Sequence, residues 1–387
     1  MGLLDGIRVL DLTRVLAGPY AGQLLADMGA DVVKIEPPEG DSARGIGPHA
    51  GERSLYFSAL NSGKRGVVLD LASPAGRAAF DLLLADADVV LENLRPASAA
   101  RLGLTPPVLL AARPELVVVS ISGYARGSAW AEAPSLDLIA QAETGIMSVT
   151  GEPGGPPVRA GVPIGDLAAG MWAAMAALGG LVERLRTGRG VALEVPLVDA
   201  TLTLTSYVAT AASHLGVDPA PVGSGHHSVA PYRAYPTADG WLAIAVIGDT
   251  FWPRLVDALG LSVSVDDEVD LARNVARNEH RDAVDDAVVR ALAGRTTAEA
   301  AALLGAAGVP HAPVNGMLDA LRTPYVAAQG MVAEVATPEG PYRTVRGPLR
   351  DDRPLRPAPA LGEHTAEVLR EVLPADSPLL AELLRQS

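Results

Sequence analysis

Residues 8–12 form a short, mostly apolar run, and after a turn through Arg14, Pro19 opens a second apolar stretch, 20–28, that stops at Gly29. Strand, loop and helix are the elements that this order predicts. Val32, Val33 and Ile35 mark a second strand over 31–36; residues 74–86 read as a helix; 88–91 and 116–121 are two further short apolar runs. Strands alternating with helices at this spacing predict a parallel sheet covered on both faces. Such sheets bind ligands beyond the carboxyl ends of their strands. From Asp166 an Ala-rich helix is predicted to Thr187, with Gly188 as its stop and a strand at 191–195 behind it.

The pattern changes past Leu215. A segment rich in Gly, Pro, Ser and His, 216–231, precedes two runs, 232–236 and 241–247, joined through Ala238, Asp239 and Gly240, which is a hairpin signal. Helical periods then fill 251–259, 279–293 and 297–304, and hairpin and helices together predict a smaller α+β domain. Amphipathic stretches at 363–373 and 378–385 are expected to fold back onto the first domain.

Composition narrows the function classes. The 387 residues are 49% hydrophobic and 20% charged, with a mean hydropathy of +0.22, which suits a chain that buries a core. The 31 basic against 45 acidic residues leave a charge of −14, which opposes broad attraction to nucleic acid or an anionic membrane. Cys is absent, so disulfides, thiolate metal sites and thiol nucleophiles are excluded. A cytoplasmic location is expected, because Asp5, Arg8, Asp11 and Arg14 interrupt any leader-like apolar region. The uncharged run between Asp166 and Glu183 is too short and too rich in Ala and Gly for a membrane span; it reads as a buried helix.

Candidate chemistry concentrates at Asp166, which follows Gly165 and leads into small residues. Asp there fits an N-cap that accepts backbone N–H bonds. The same carboxylate, held ionised by those donors, also fits a nucleophile that attacks an acyl centre to form a mixed anhydride. Other chemistries find less support. Residues 8–36 imitate a dinucleotide-binding unit, but the first turn lacks its glycines, and the loose match at 45–50 follows no strand. No metal-ligand spacing is present, and His226 and His227 would point apart in extended chain.

Further segments stand out along the chain: Gly6–Leu12 with Ala17-Gly18-Pro19, the run 29–38, Asn61-Ser62-Gly63-Lys64-Arg65, Glu92-Asn93-Leu94-Arg95-Pro96, 137–145, 156–172, 230–240 and Leu361-Gly362-Glu363-His364-Thr365. Together and in this order they resemble the family III CoA-transferases of the CaiB/BaiF type, a group that includes formyl-CoA transferase-like enzymes, carnitine and bile-acid CoA-transferases and the α-methylacyl-CoA racemases. The resemblance implies an α/β fold, with a Rossmann-like large domain made from both chain ends (1–205 and 326–387), a smaller α+β domain at 206–325, and an interlocked homodimer. It implies an acyl-CoA donor and a carboxylic acid acceptor as partners, CoA or acyl-CoA as substrate, and no tightly bound cofactor or metal. Asp166 falls on the family's catalytic aspartate, acylated first as a mixed anhydride and then as an aspartyl-CoA thioester. CoA contacts carried over by position are Leu16, Ala17, Lys64, Leu71, Asn93, Leu94, Arg95, Arg101, Pro134 and Asp137.

The sequence also departs from that pattern. Leu16 stands where transferases of small carboxylates often carry a Gln, so its side chain donates no bond to an acyl oxygen, leaving backbone N–H groups or another side chain for that role. The Gly-rich flap of some members is represented by 223–227 only. Racemases of the family carry a His directly before the aspartate matching Asp137; here that residue is Leu136. A 2-methylacyl-CoA racemase and a non-catalytic CoA-binding protein are the alternatives.

Overall fold

Val9, Val32, Val89 and Val117 face one apolar core, while Leu10, Val33, Val90 and Val118 face another, so these strands are apolar on both sides and their sheet needs cover on each face. In the computed structural model, which describes residues 2–338, 340–350 and 353–386, the strands are β1 (Arg8–Asp11), β2 (Asp31–Glu36), β3 (Arg65–Val68), β4 (Val89–Glu92), β5 (Val117–Ser122) and β6 (Val191–Pro196). They lie in the order β3-β2-β1-β4-β5-β6, every neighbouring pair parallel. The order reverses between β1 and β4, and the crevice at the carboxyl ends there is where doubly wound sheets bind ligands. The helices around this sheet include α1 (Ala17–Asp27), α2 (Leu55–Asn61), α3 (Pro74–Ala85), α4 (Asp137–Glu143), α5 (Ile164–Thr187) and α6 (Leu197–Thr203). One core packs α1 and α5 on the sheet; the other packs α3. Local chemistry sets the boundaries: the Ser73 hydroxyl accepts the Gly76 N–H to open α3, and α5 stops at Gly188 with φ +69°.

The chain divides into two compact units, one of residues 1–145, 160–206 and 325–387, the other of 146–159 and 207–324. Residues 146–159, inside the 1–205 span expected of the large domain, belong to the second unit; the Gly223 N–H donates to Gly151 O at 2.8 Å. The second unit carries the antiparallel hairpin β7 (Tyr232–Pro236) and β8 (Trp241–Ala245), closed by Thr237 N–H to Gly240 O at 2.9 Å, with α7 (Phe251–Leu259), α8 (Arg281–Leu292), α9 (Thr297–Ala306) and the edge strand β9 (His311–Pro313). Its core centres on Tyr235, Leu242, Trp252, Leu255, Val288 and Leu304. At the C-terminus, α10 (Thr365–Val372) and α11 (Pro378–Gln386) return to the first unit, placing Val368, Leu369, Leu380 and Leu383 in the core of α3.

The helix α5 is long and apolar enough to cross a membrane by length and composition. Its Ala169, Ala173 and Ala177 face is buried in the sheet core, which accounts for the apolar residues on that face.

Candidate active site

Asp166 does not cap α5. The helix starts two residues earlier, after Pro163, and no side chain on the N-cap residue itself serves it. Instead Asp137, the first residue of α4, reaches across: its Oδ1 accepts the N–H of Gly165 at 2.9 Å and of Asp166 at 3.4 Å, and its Oδ2 accepts Gln141 Nε2 at 2.7 Å. A Cβ on residue 165 would stand 2.7 Å from Thr201 Oγ1 and 3.1 Å from the Asp137 carboxylate, so the approach requires glycine. Asp137 therefore takes the first-turn donors expected to hold Asp166 ionised.

The Asp166 carboxylate is left partly buried and without a hydrogen-bond partner among the described residues. Burial pushes its pKa from 3.8 up to about 7, and the Asp137 charge adds to the rise. Tyr56 on α2 lies in the same field: burial first, then the charges of Asp166, Asp41 and Asp137, push its phenol up to about 12.

The loop after β1 forms the facing wall. Asn93 grips the Arg14 peptide from both sides, Oδ1 accepting Arg14 N–H at 2.9 Å and Nδ2 donating to Arg14 O at 2.8 Å. Val15 has φ +70°, a left-handed conformation costing a β-branched residue about 1–3 kcal/mol. Its N–H donates to Asp41 Oδ1 and Oδ2 at 3.1 and 3.3 Å, and Asp41 pairs at 3.0 Å with Lys34, both side chains fully buried. The Leu16 and Ala17 N–H groups that follow donate to no acceptor among the described residues. At Gly170, α5 meets α1 so closely that a Cβ would lie 2.6 Å from Ala17 O.

Arg14–Ala17, Asn93–Pro96, Ile121–Gly123, Ala131–Leu136, Leu197 and Asp166 line a cleft of about 390 Å³ at the sheet's switch point. It gathers Leu16, Ala17, Asn93, Leu94, Arg95 and Pro134 around Asp166, all named from sequence. A second cavity of about 280 Å³ takes Leu71 and Arg101, and Arg14 and Leu94 line both cavities. Two expected CoA contacts line neither. Asp137 is committed to the start of α5. Lys64 is fully buried, all three ammonium donors used on Asp11 Oδ2 at 2.8 Å, Pro19 O at 2.8 Å and Asn61 Oδ1 at 2.9 Å. Its burial lowers its pKa to about 8, against the opposing pull of Asp11. It is a scaffold group and meets no phosphate.

Sequence reasoning missed Arg14, Tyr56 and the Lys34–Asp41 pair. Arg14 lies three residues past the carboxyl end of β1, a position that is itself a signal in a parallel sheet; its guanidinium has no partner among the described residues. None of the seven histidines lines the cleft. His364 Nδ1 accepts the Gly66 N–H, and His226 stacks on Tyr207. The loop 223–227 is tied within its own unit, Ser224 Oγ accepting the Ala234 N–H at 3.0 Å. Residues 45–50 run from a 3₁₀ turn into a short hairpin strand, so they are no phosphate-binding turn. No cluster of three or more potential metal ligands occurs among the described residues.

The sequence profile of CoA-transferase family III matches residues 4–365. Succinate–glutarate CoA-transferase of Agrobacterium fabrum is 36% identical over 385 residues, 95% of each chain. Succinyl-CoA:glutarate CoA-transferase of Mus musculus is 33% identical over 388 residues, 98% of this chain and 89% of the relative. The crystal structure of a CaiB/BaiF family protein from Brucella suis superposes with a TM-score of 0.84 at 33% identity, covering 96% of this chain and all of the other.

Proposed function

The chain belongs to CoA-transferase family III, and we propose that it moves CoA from an acyl-CoA to a free carboxylate by covalent catalysis at Asp166. The observation that carries this reading is an unpartnered, partly buried carboxylate in a cleft at the switch point of a doubly wound sheet. An Asp166 oxygen attacks the thioester carbon; the C–S bond breaks, and the product is an aspartyl mixed anhydride with free CoA thiolate. The thiolate attacks the aspartyl carbonyl and releases the donor acid, leaving Asp166 as a CoA thioester. The acceptor carboxylate then attacks that thioester to give a second anhydride, and the thiolate takes its acyl group, freeing Asp166. One thioester is consumed and one made, so no outside energy source enters.

Partial burial raises the nucleophile's basicity without a hydrogen bond to blunt it. The Leu16 and Ala17 N–H groups are the donors available to the acyl oxygen, in place of the amide that a Gln at position 16 would offer. CoA laid across both cavities would meet Arg14 where they join, with Arg101 in the second cavity and Arg95 on the cleft. Relatives named for succinate and glutarate make short dicarboxylates the class to try first.

Incubation with succinyl-CoA should add mass to the peptide carrying Asp166, and Asp166→Ala should abolish both adduct and transfer to glutarate while the far-UV spectrum is kept. Substantial transfer by Asp166→Ala refutes the assignment. A racemase would instead exchange its α-hydrogen with deuterated solvent and form no new ester; with no histidine on the cleft, nothing favours that outcome.

We also propose a homodimer. Opposite its buried face, α5 exposes Met171, Trp172, Met175, Val182 and Leu185, an apolar stripe suited to a second copy. Sedimentation showing a monomer at micromolar concentration would remove this proposal.

A further inference from the structure

We propose that Asp41, through its buried pair with Lys34, is a positioning residue for the transfer reaction: it holds Val15 in a conformation valine avoids and so sets the Leu16–Ala17 wall against Asp166. The inference rests on the reading that Asp166 is acylated.

Among the described residues only Val15 and Ser206 combine a side chain with positive φ. A strained residue persists where its surroundings over-determine it, and here the restraints are dense. Lys34 Nζ holds Thr13 O at 2.9 Å, Asn93 fixes both sides of the Arg14 peptide, and Asp41 takes the Val15 N–H with both oxygens. Three consecutive residues are thus gripped by buried or half-buried side chains from β2, the end of β4 and the loop after β2. The chain then turns into α1, whose first residue lies against Gly170 of α5. Asp41 and Lys34 line neither cavity and do not touch substrate space. Their effect on the reaction runs through Val15. Were Val15 to relax to negative φ, the Leu16 and Ala17 peptides would rotate away from the nucleophile.

The test is a double-mutant cycle with succinyl-CoA and glutarate, measuring Asp41→Asn in the wild-type and the Val15→Gly backgrounds. Glycine enters the left-handed region without being pulled there. In the wild-type background Asp41→Asn should lower kcat by about tenfold or more with the donor KM changed by less than about threefold, a loss the strain can account for. In the Val15→Gly background the same change should lower kcat by less than about threefold, whatever Val15→Gly does alone. Urea midpoints should fall equally in both. Equal kcat losses in both backgrounds, or a change in KM alone, overturn the proposal and reduce Asp41 to a stabilising residue. Should Asp41→Asn not fold, the neutralised pair Lys34→Met/Asp41→Asn replaces it, with the same outcomes decisive. Retained transfer by Asp166→Ala removes the nucleophile assignment; equal losses alongside an inactive Asp166→Ala remove this inference alone.

Discussion

Asp166→Asn should make the protein more stable, and the gain should depend on pH in a defined way. Asparagine keeps the shape of the side chain and removes its charge. One pH unit of displacement corresponds to about 1.4 kcal/mol, so raising this carboxyl from 3.8 to about 7 makes its anion costlier in the folded protein by about 4 kcal/mol at most. Partial solvent access screens part of that, and an observed gain of about 1–3 kcal/mol is expected. The sign follows from proton counts. Between about pH 4 and 7 the folded wild type holds a proton on Asp166 that the unfolded chain has released, so wild-type stability falls with rising pH across that window. Below about pH 4 both forms are neutral here and the two proteins should unfold at the same urea concentration. Above about pH 7 the variant should lead by a constant margin. Paired urea titrations at half-unit pH intervals measure this. A difference that is flat with pH, or a more stable wild type at pH 8, refutes the claim that the Asp166 carboxylate is held against its own solvation.

The same ionisation should govern catalysis: log kcat/KM rises with unit slope below about pH 7 and levels above it, and Asp137→Asn, which keeps an oxygen for the Gly165 N–H but removes the charge, moves the midpoint to lower pH. Lys64→Met leaves Asp11 buried without its partner and should cost about 3–5 kcal/mol in urea unfolding, with no selective rise in the KM for acyl-CoA. Arg14→Ala should raise the KM for acyl-CoA by about tenfold, and the penalty should shrink as salt rises.

Much of the first unit could be read from the sequence because its strands and helices have their own period. The strand over 31–36 lies at the positions its pattern marks, the returning C-terminal helices were visible as amphipathic stretches, and in the second unit the helix over 251–259 matches as well. At the candidate site, the sequence named Asp166 and six of the residues that line the cleft with it. The errors share one physical cause: a partner distant in the chain. Asp137 lies 28 residues before the glycine whose N–H it accepts, and that distant cap let α5 begin before Asp166. Lys64 looked like a cation for phosphate, yet Asp11, 53 residues away, claims it inside the protein. Val15 gave no signal at all, because an apolar residue after a strand carries no mark of its backbone angle.

The contact at Gly170 brings the two sides of the candidate site to their closest approach. With bare backbone against Ala17 O, the start of α5 and the peptides facing Asp166 have no room to move closer together. Under the proposed mechanism, this contact sets the smallest gap open to the thioester carbon, whichever acid is served. Under the same mechanism, room for longer or shorter acceptors has to be made elsewhere on the rim, where 131–135 form a wall segment outside any helix or strand.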